Sequence, residues 1–188
     1  MKDNGIKEKI LDVVQSRMVN FGYRKVTMDE IASDLKMSKN TIYLYFESKE
    51  KIANELFLRL KDKIVRKQGE FKKELKDPLE VMTSTVSFLQ KELASWFKYF
   101  LVDIQVELPS LWQEFVKFRT EQILALEALV RSAIKKGEFR SVNPAVAVQV
   151  YLGAIDNIID PEFLDKEGIV FGDAIDMVMD IWSKGMKK

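Results

Sequence analysis

Cysteine and histidine are both absent from the 188 residues. Without thiols there is no disulfide and no cysteine nucleophile. Without imidazole the commonest general base is missing, and losing both ligand types removes nearly all zinc and copper sites. Glycine and proline are scarce, at 8 and 4, and no segment alternates apolar and polar residues long enough for a convincing strand. No apolar run reaches membrane-spanning length; the longest, around 96–104, is broken by Lys98 and Asp103. The opening "MKDNGIKEKI" lacks the apolar core of a signal peptide. These absences predict an all-α, soluble, cytoplasmic protein with no metal, no cofactor and no membrane partner. Catalysis would rest on carboxylates and lysines alone. No paired-carboxylate or glycine-rich phosphate motif appears, so an enzyme is not expected.

Net charge is also nearly absent, at +1. Its distribution is more informative. Residues 1–66 carry 14 Lys/Arg against 10 Asp/Glu, whereas the remainder carries 16 against 19. A basic head on a faintly acidic body suits an anionic partner at the front of the chain.

What is present is helical periodicity. Ile6, Ile10, Val13, Val14, Met18 and Phe21 mark a first helix that Gly22 should stop. Thr27 and Glu30 form a capping-box pair for a short helix carrying Ile31, Ala32 and Leu35 inward. Ser38 can cap a second short helix, Lys39 to Tyr45, and Ser48 a long one running to about Lys76. Asp77–Pro78 and Asn143–Pro144 read as cap-plus-proline starts of later helices. An aromatic-rich helix spans "SWFKYFLVDIQVEL", and another runs from about Leu111 to Lys136. "DPEFLDKEG" reads as a loop before a last helix, about Phe171 to Lys184. The total is about nine helices on the 3.6-residue period.

Two short helices joined by a tight turn behind a longer one form a helix-turn-helix. Ala32 is small enough for the crossing, and Leu35, Met37 and Ile42 seal the corner. Lys39, Asn40, Thr41 and Tyr43 then offer donors for phosphates and base edges. By donor geometry, Asn40 suits an adenine and Lys39 a guanine. Ile31, Leu35, Ile42 and Phe46 are expected in the core. The bland alternative, a solvated polar turn, does not account for the caps and the Tyr-x-Tyr-Phe spacing together.

Thr27, Ile31-Ala32, Ser38, Thr41, Tyr43, Tyr45-Phe46, Lys49-Glu50 and Ile52 resemble the N-terminal domain of TetR-family transcriptional regulators. The pattern is T-x-x-x-I-A, a turn, then Y-x-[YH]-F-x-x-K-[ED]-x-L, with Ile52 at the usual leucine. A weaker likeness lies in "GEFRSVNPAVAVQVYLGAID". The resemblance implies a DNA-binding domain over residues 1–48 and a regulatory and dimerisation domain over 49–188. It implies a homodimer on double-stranded DNA, with Thr27, Tyr43, Tyr45 and Lys49 on phosphates. Lys39, Asn40 and Thr41 would face bases, with Ser38 as cap and phosphate neighbour.

The same resemblance implies a pocket for an unknown small-molecule effector among the fifth to eighth helices. Trp96, Phe100, Phe115 and Tyr151 are the aromatic candidates, with Asp103 and Arg119 as polar ones; aromatics at this spacing are ordinarily core. A four-helix dimer interface would draw on Val146, Val150, Gly153, Ala154, Asn157, Ile175, Val178, Met179 and Trp182. The function read from the sequence is a repressor on a palindromic operator, released by a ligand. A ligand-independent architectural or protein-recruiting DNA-binding dimer is the alternative.

Overall fold

The computed structural model describes residues 4–97, 99–158 and 161–188. Among these the protein is all-α, with ten helices and no strand. They are α1 Asn4–Lys25, α2 Met28–Leu35, α3 Lys39–Tyr43, α4 Lys49–Glu74 and α5 Pro78–Phe97. Then follow α6 Phe100–Glu107, α7 Pro109–Lys136, α8 Pro144–Ile158, α9 Pro161–Glu167 and α10 Phe171–Met186. The chain forms two compact units: Met1–Lys63 with Glu92–Phe118, and Ile64–Lys91 with Arg119–Lys188.

In the first unit, Ile10, Leu11, Val14 and Met18 bury one stripe of α1, while Phe21 is 55% exposed. Gly22 does interrupt the helix (φ 84, ψ 166), but one further turn follows before the chain leaves at Lys25. α2 packs on α1 and α3, and α6 packs on α1. Ile31, Leu35, Ile42 and Phe46 are all buried. Each such side chain removed from water is worth roughly 1.5–3 kcal/mol, enough to hold elements too short to be stable alone.

The second unit buries Met82 and Val86 of α5, Val130 and Ala133 of α7, Val148, Tyr151 and Ile155 of α8, and Ile175 and Val178 of α10. Asn143 Oδ1 caps α8 by accepting from the N–H groups of Ala145 (2.9 Å) and Val146 (3.3 Å). Phe139, buried, stands edge-on to Trp182, whose indole N–H donates to the Ala147 carbonyl at 2.8 Å.

Three sequence expectations are corrected. Residues 161–167 form α9 rather than a loop; Pro161 at a first helical position fits this. Trp96 and Phe97 end α5, and the aromatic segment restarts as α6 only at Phe100. The recognition segment is helical for five residues, not seven, closing in a turn in which the Tyr45 and Phe46 N–H groups both donate to the Ile42 carbonyl.

Candidate nucleic-acid interface

Local capping chemistry builds the head. The Glu30 N–H donates to Thr27 Oγ1 at 3.3 Å, and the Thr27 N–H donates to Glu30 Oε2 at 2.8 Å. This closed capping box starts α2. The backbone hydrogen bond from Thr27 holds the Glu30 carboxyl below its ordinary range. Arg17 of α1 braces the same helix, with Nη2 donating to Asp34 Oδ1 at 2.8 Å. α2 ends at Lys36, whose backbone is left-handed (φ 53, ψ 42) and whose N–H donates to the Ser33 carbonyl at 3.1 Å. The Met37 N–H reaches the Ala32 carbonyl at 3.0 Å, folding the turn over the small crossing residue.

Ser38 Oγ accepts the Thr41 N–H at 3.0 Å and shares a 2.8 Å hydrogen bond with Thr41 Oγ1. Ser48 Oγ accepts the Lys51 N–H at 3.1 Å and starts α4. With Ile42 turned inward, the outer side of the segment presents Ser38, Lys39, Asn40 and Tyr43 to solvent. Thr41 and Tyr45 are half-buried and Thr27 is exposed. This row of hydroxyl, amide and ammonium groups matches what phosphate oxygens and major-groove base edges require.

Three features of the head were not read from the sequence. Lys39 is paired: its Nζ lies 2.9 Å from Asp29 Oδ1, a hydrogen bond that raises its pKa. Leu44, between the two tyrosines, is 63% exposed. Lys49 is half-buried and donates to the carbonyls of Tyr23 and Val26 at 2.9 Å each, with Nζ 4.1 Å from the Tyr23 ring centroid. Burial lowers its pKa. Lys49 therefore caps the end of α1, whatever it adds toward a phosphate. None of these contacts leaves a local spacing signal, since Lys39 meets an acid of the preceding helix and Lys49 meets backbone carbonyls of a distant segment.

The effector candidates divide between the units. In the first, Trp96 and Phe100 are buried edge-to-face with ring centroids 4.9 Å apart. Phe115 is buried, stacked on Trp112 and edge-on to Phe57. Asp103 accepts the Arg24 N–H at 2.8 Å. In the second, Arg119 is exposed and ion-paired with Asp156 at 3.3 Å. Tyr151 is buried, and its hydroxyl accepts from Gln90 Nε2 at 2.5 Å. Burial pushes the phenol's pKa up. Among the described residues, Gln90 Oε1 is buried without a hydrogen-bond partner.

Of the dimer candidates, Val146 and Val150 are 59% and 60% exposed. Asn157 is exposed and Gly153 half-exposed, at the positions that continue their row along α8. Ala154, Met179 and Trp182 are partly buried against the unit's own core. Ile175 and Val178 are both buried in that core. Among the described residues, the exposed large apolar side chains of α10 are Met177 (53%) and Ile181 (72%). Among the described residues there is no group of acids placed to hold a metal, and no helix is long and apolar enough to cross a membrane.

The fold and this head define a helix-turn-helix DNA-binding protein. Residues 17–56 match the family of bacterial regulatory proteins, tetR family. The chain is 24% identical over 163 residues to an uncharacterized HTH-type transcriptional regulator, YvaF of Bacillus subtilis (strain 168), covering 85% of each. It superposes on a putative transcriptional regulator from Saccharomonospora viridis in complex with choline with a TM-score of 0.85, at 18% identity, covering 99% and 100%. The TetR-family regulator PfmR from Thermus thermophilus gives 0.74 at 22% identity, covering 95% and 99%. Residues 17–56 thus carry the helix-turn-helix of the tetR family of bacterial regulatory proteins, and the whole fold resembles solved transcriptional regulators of that family.

Proposed function

We propose that the chain is a repressor that binds a palindromic operator as a homodimer and is released by a small ligand bound in its C-terminal domain. The functional division is residues 1–48 for DNA and 49–188 for regulation and dimerisation. The observation that carries the reading is the outward row on and around α3, held by three closed caps over a buried Ile42. Thr27, Ser38, Tyr43, Tyr45 and Lys49 take phosphates, and Lys39, Asn40 and Thr41 take base edges.

Exposed Val146 and Val150 on α8, with Met177 and Ile181 on α10, support a second copy docking on a helix pair already in contact. Self-association by a two-fold axis would place two recognition helices about 34 Å apart, one turn of B-DNA. The unpartnered acceptor of Gln90 beside the Tyr151 hydroxyl supports an effector with a hydrogen-bond donor, because a buried orphan acceptor is costly until filled. The similarly folded S. viridis protein is a complex with choline. Ligand binding must favour one head spacing over the other to act at all. In the mechanism, it shifts α4 and thereby the heads.

Footprinting of the upstream DNA, with and without candidate effectors, tests head and body together. A protected palindrome released by one compound is the expected outcome. No protection at any salt would remove the operator reading. The tight ring packing of Trp96, Phe100 and Phe115 favours the second reading, a ligand-independent dimer, which predicts protection that no compound relieves.

A further inference from the structure

The last turn of α1 is held at both ends by side chains from elsewhere in the first unit. A helix that restarts after a break needs acceptors for its first N–H groups, and α1 is broken at Gly22. The Arg24 N–H donates to Asp103 Oδ2 at 2.8 Å, from a residue 79 positions away. A Cβ on Gly22 would lie 2.4 Å from that same oxygen and 3.2 Å from Tyr99 Cβ, and Gly22 also has φ +84. In this pose the carboxylate fits only over a glycine. The Arg24 side chain is held too, its Nε and Nη2 each 2.9 Å from Glu107 Oε1.

At the other end, Lys49 Nζ gathers the carbonyls of Tyr23 and Val26. Thr27, the cap of α2 and a proposed phosphate contact, follows immediately. One turn of helix thus ties α6, the start of α4 and the entry to the helix-turn-helix together.

We propose that Asp103 is a positioning residue for DNA binding: an N-cap supplied by α6 to the last turn of α1, which fixes Thr27 and the helix-turn-helix behind it. Asp103 acts as an acceptor held against Gly22 and not as an acid lining an effector pocket. The proposal rests on the head binding DNA. It differs in sign from a simple electrostatic role, because removing a negative charge near a DNA-binding head raises affinity, whereas removing a cap lowers it.

The test uses the full chain and the duplex recovered by in vitro selection with the unsubstituted protein, at a temperature where circular dichroism shows every variant folded. Asp103→Ala is expected to weaken binding about tenfold, the loss of one charge-assisted hydrogen bond. Asp103→Asn keeps an acceptor oxygen and should stay within about threefold. In the DNA-free protein, Asp103→Ala should speed amide exchange at Arg24. Gly22→Ala should weaken binding as well, and the double variant should bind no worse than Gly22→Ala alone, since both act on one contact. Tighter binding by both Asp103 variants would overturn the proposal in favour of charge alone. Unchanged exchange at Arg24 would overturn it without reference to DNA. Failure of the unsubstituted protein to select any duplex would sink the DNA reading and the positioning role together, leaving exchange to judge the cap.

Discussion

Lys39, at the start of the recognition helix, is held by Asp29 of the helix before it, Nζ to Oδ1 at 2.9 Å. Both side chains are exposed, so the pair adds little to stability. Its effect is on what Lys39 can reach, since the cation must leave Asp29 to meet a guanine. Asp29→Asn is expected to tighten DNA binding about threefold by freeing the ammonium and removing a like-signed neighbour of phosphate. Fluorescence anisotropy at two salt concentrations checks this, and weaker binding would show that Asp29 orients Lys39 instead.

In the proposed reading, Asn40 and Tyr43 separate base reading from backbone grip. Asn40→Ala should cost about 1–3 kcal/mol at one base step and relax preference there. Tyr43→Phe should weaken binding to all duplexes by a similar factor. Selection followed by sequencing distinguishes the two, and a preference relaxed at one base step in Tyr43→Phe would reverse the assignment.

Lys49 now has two duties to separate. Losing its two carbonyl hydrogen bonds in Lys49→Met should destabilise the DNA-free protein by about 1.5–3 kcal/mol. A phosphate contact should in addition lower the slope of log affinity against log salt by about one. Urea unfolding reads the first and a salt titration the second; an unchanged unfolding midpoint would remove the cap.

Acid should loosen the start of α2. The Glu30 carboxyl is held below its ordinary value of 4.5 by the Thr27 N–H. Its folded pKa lies below its unfolded one, so the stability it gives is fully present above about 4.5 and is lost as pH falls through the lower value. Glu30→Gln should therefore melt lower than the unsubstituted protein near neutrality, with the gap closing in acid. A gap constant from pH 2 to pH 7, taken as roughly the span of carboxylate titration, would contradict this.

Val150→Arg and Ile181→Asp should each yield monomers in sedimentation velocity while leaving the helical content unchanged. Val178→Ala, a change inside the core, should instead lower the melting point and leave association intact. Monomers with Val178→Ala alone would place the contact face elsewhere.

The caps were legible because their chemistry is local. Thr27 with Glu30, Ser38 with Thr41 and Ser48 with Lys51 all close within three residues. The buried positions of α2 and α3 were legible because one stripe of a short helix has little choice of direction. Where two apolar stripes share a helix, periodicity cannot say which one faces inward. On α10 that left Ile175 and Val178 indistinguishable from Met177 and Ile181. Contacts between distant segments left no local trace, so Asp103 was read beside the aromatics of its own helix rather than against Arg24. The break between α5 and α6 has no proline or glycine to announce it.

The fit at Gly22 also says how this protein can change over time. A side chain at position 22 and a carboxylate in this pose at position 103 compete for one volume, so position 22 cannot change while the acid stays where it is. A descendant that replaces the glycine must also swing the acid aside and re-tie the end of α1 by other means. The glycine is held by its own backbone and by a partner far along the chain, Asp103.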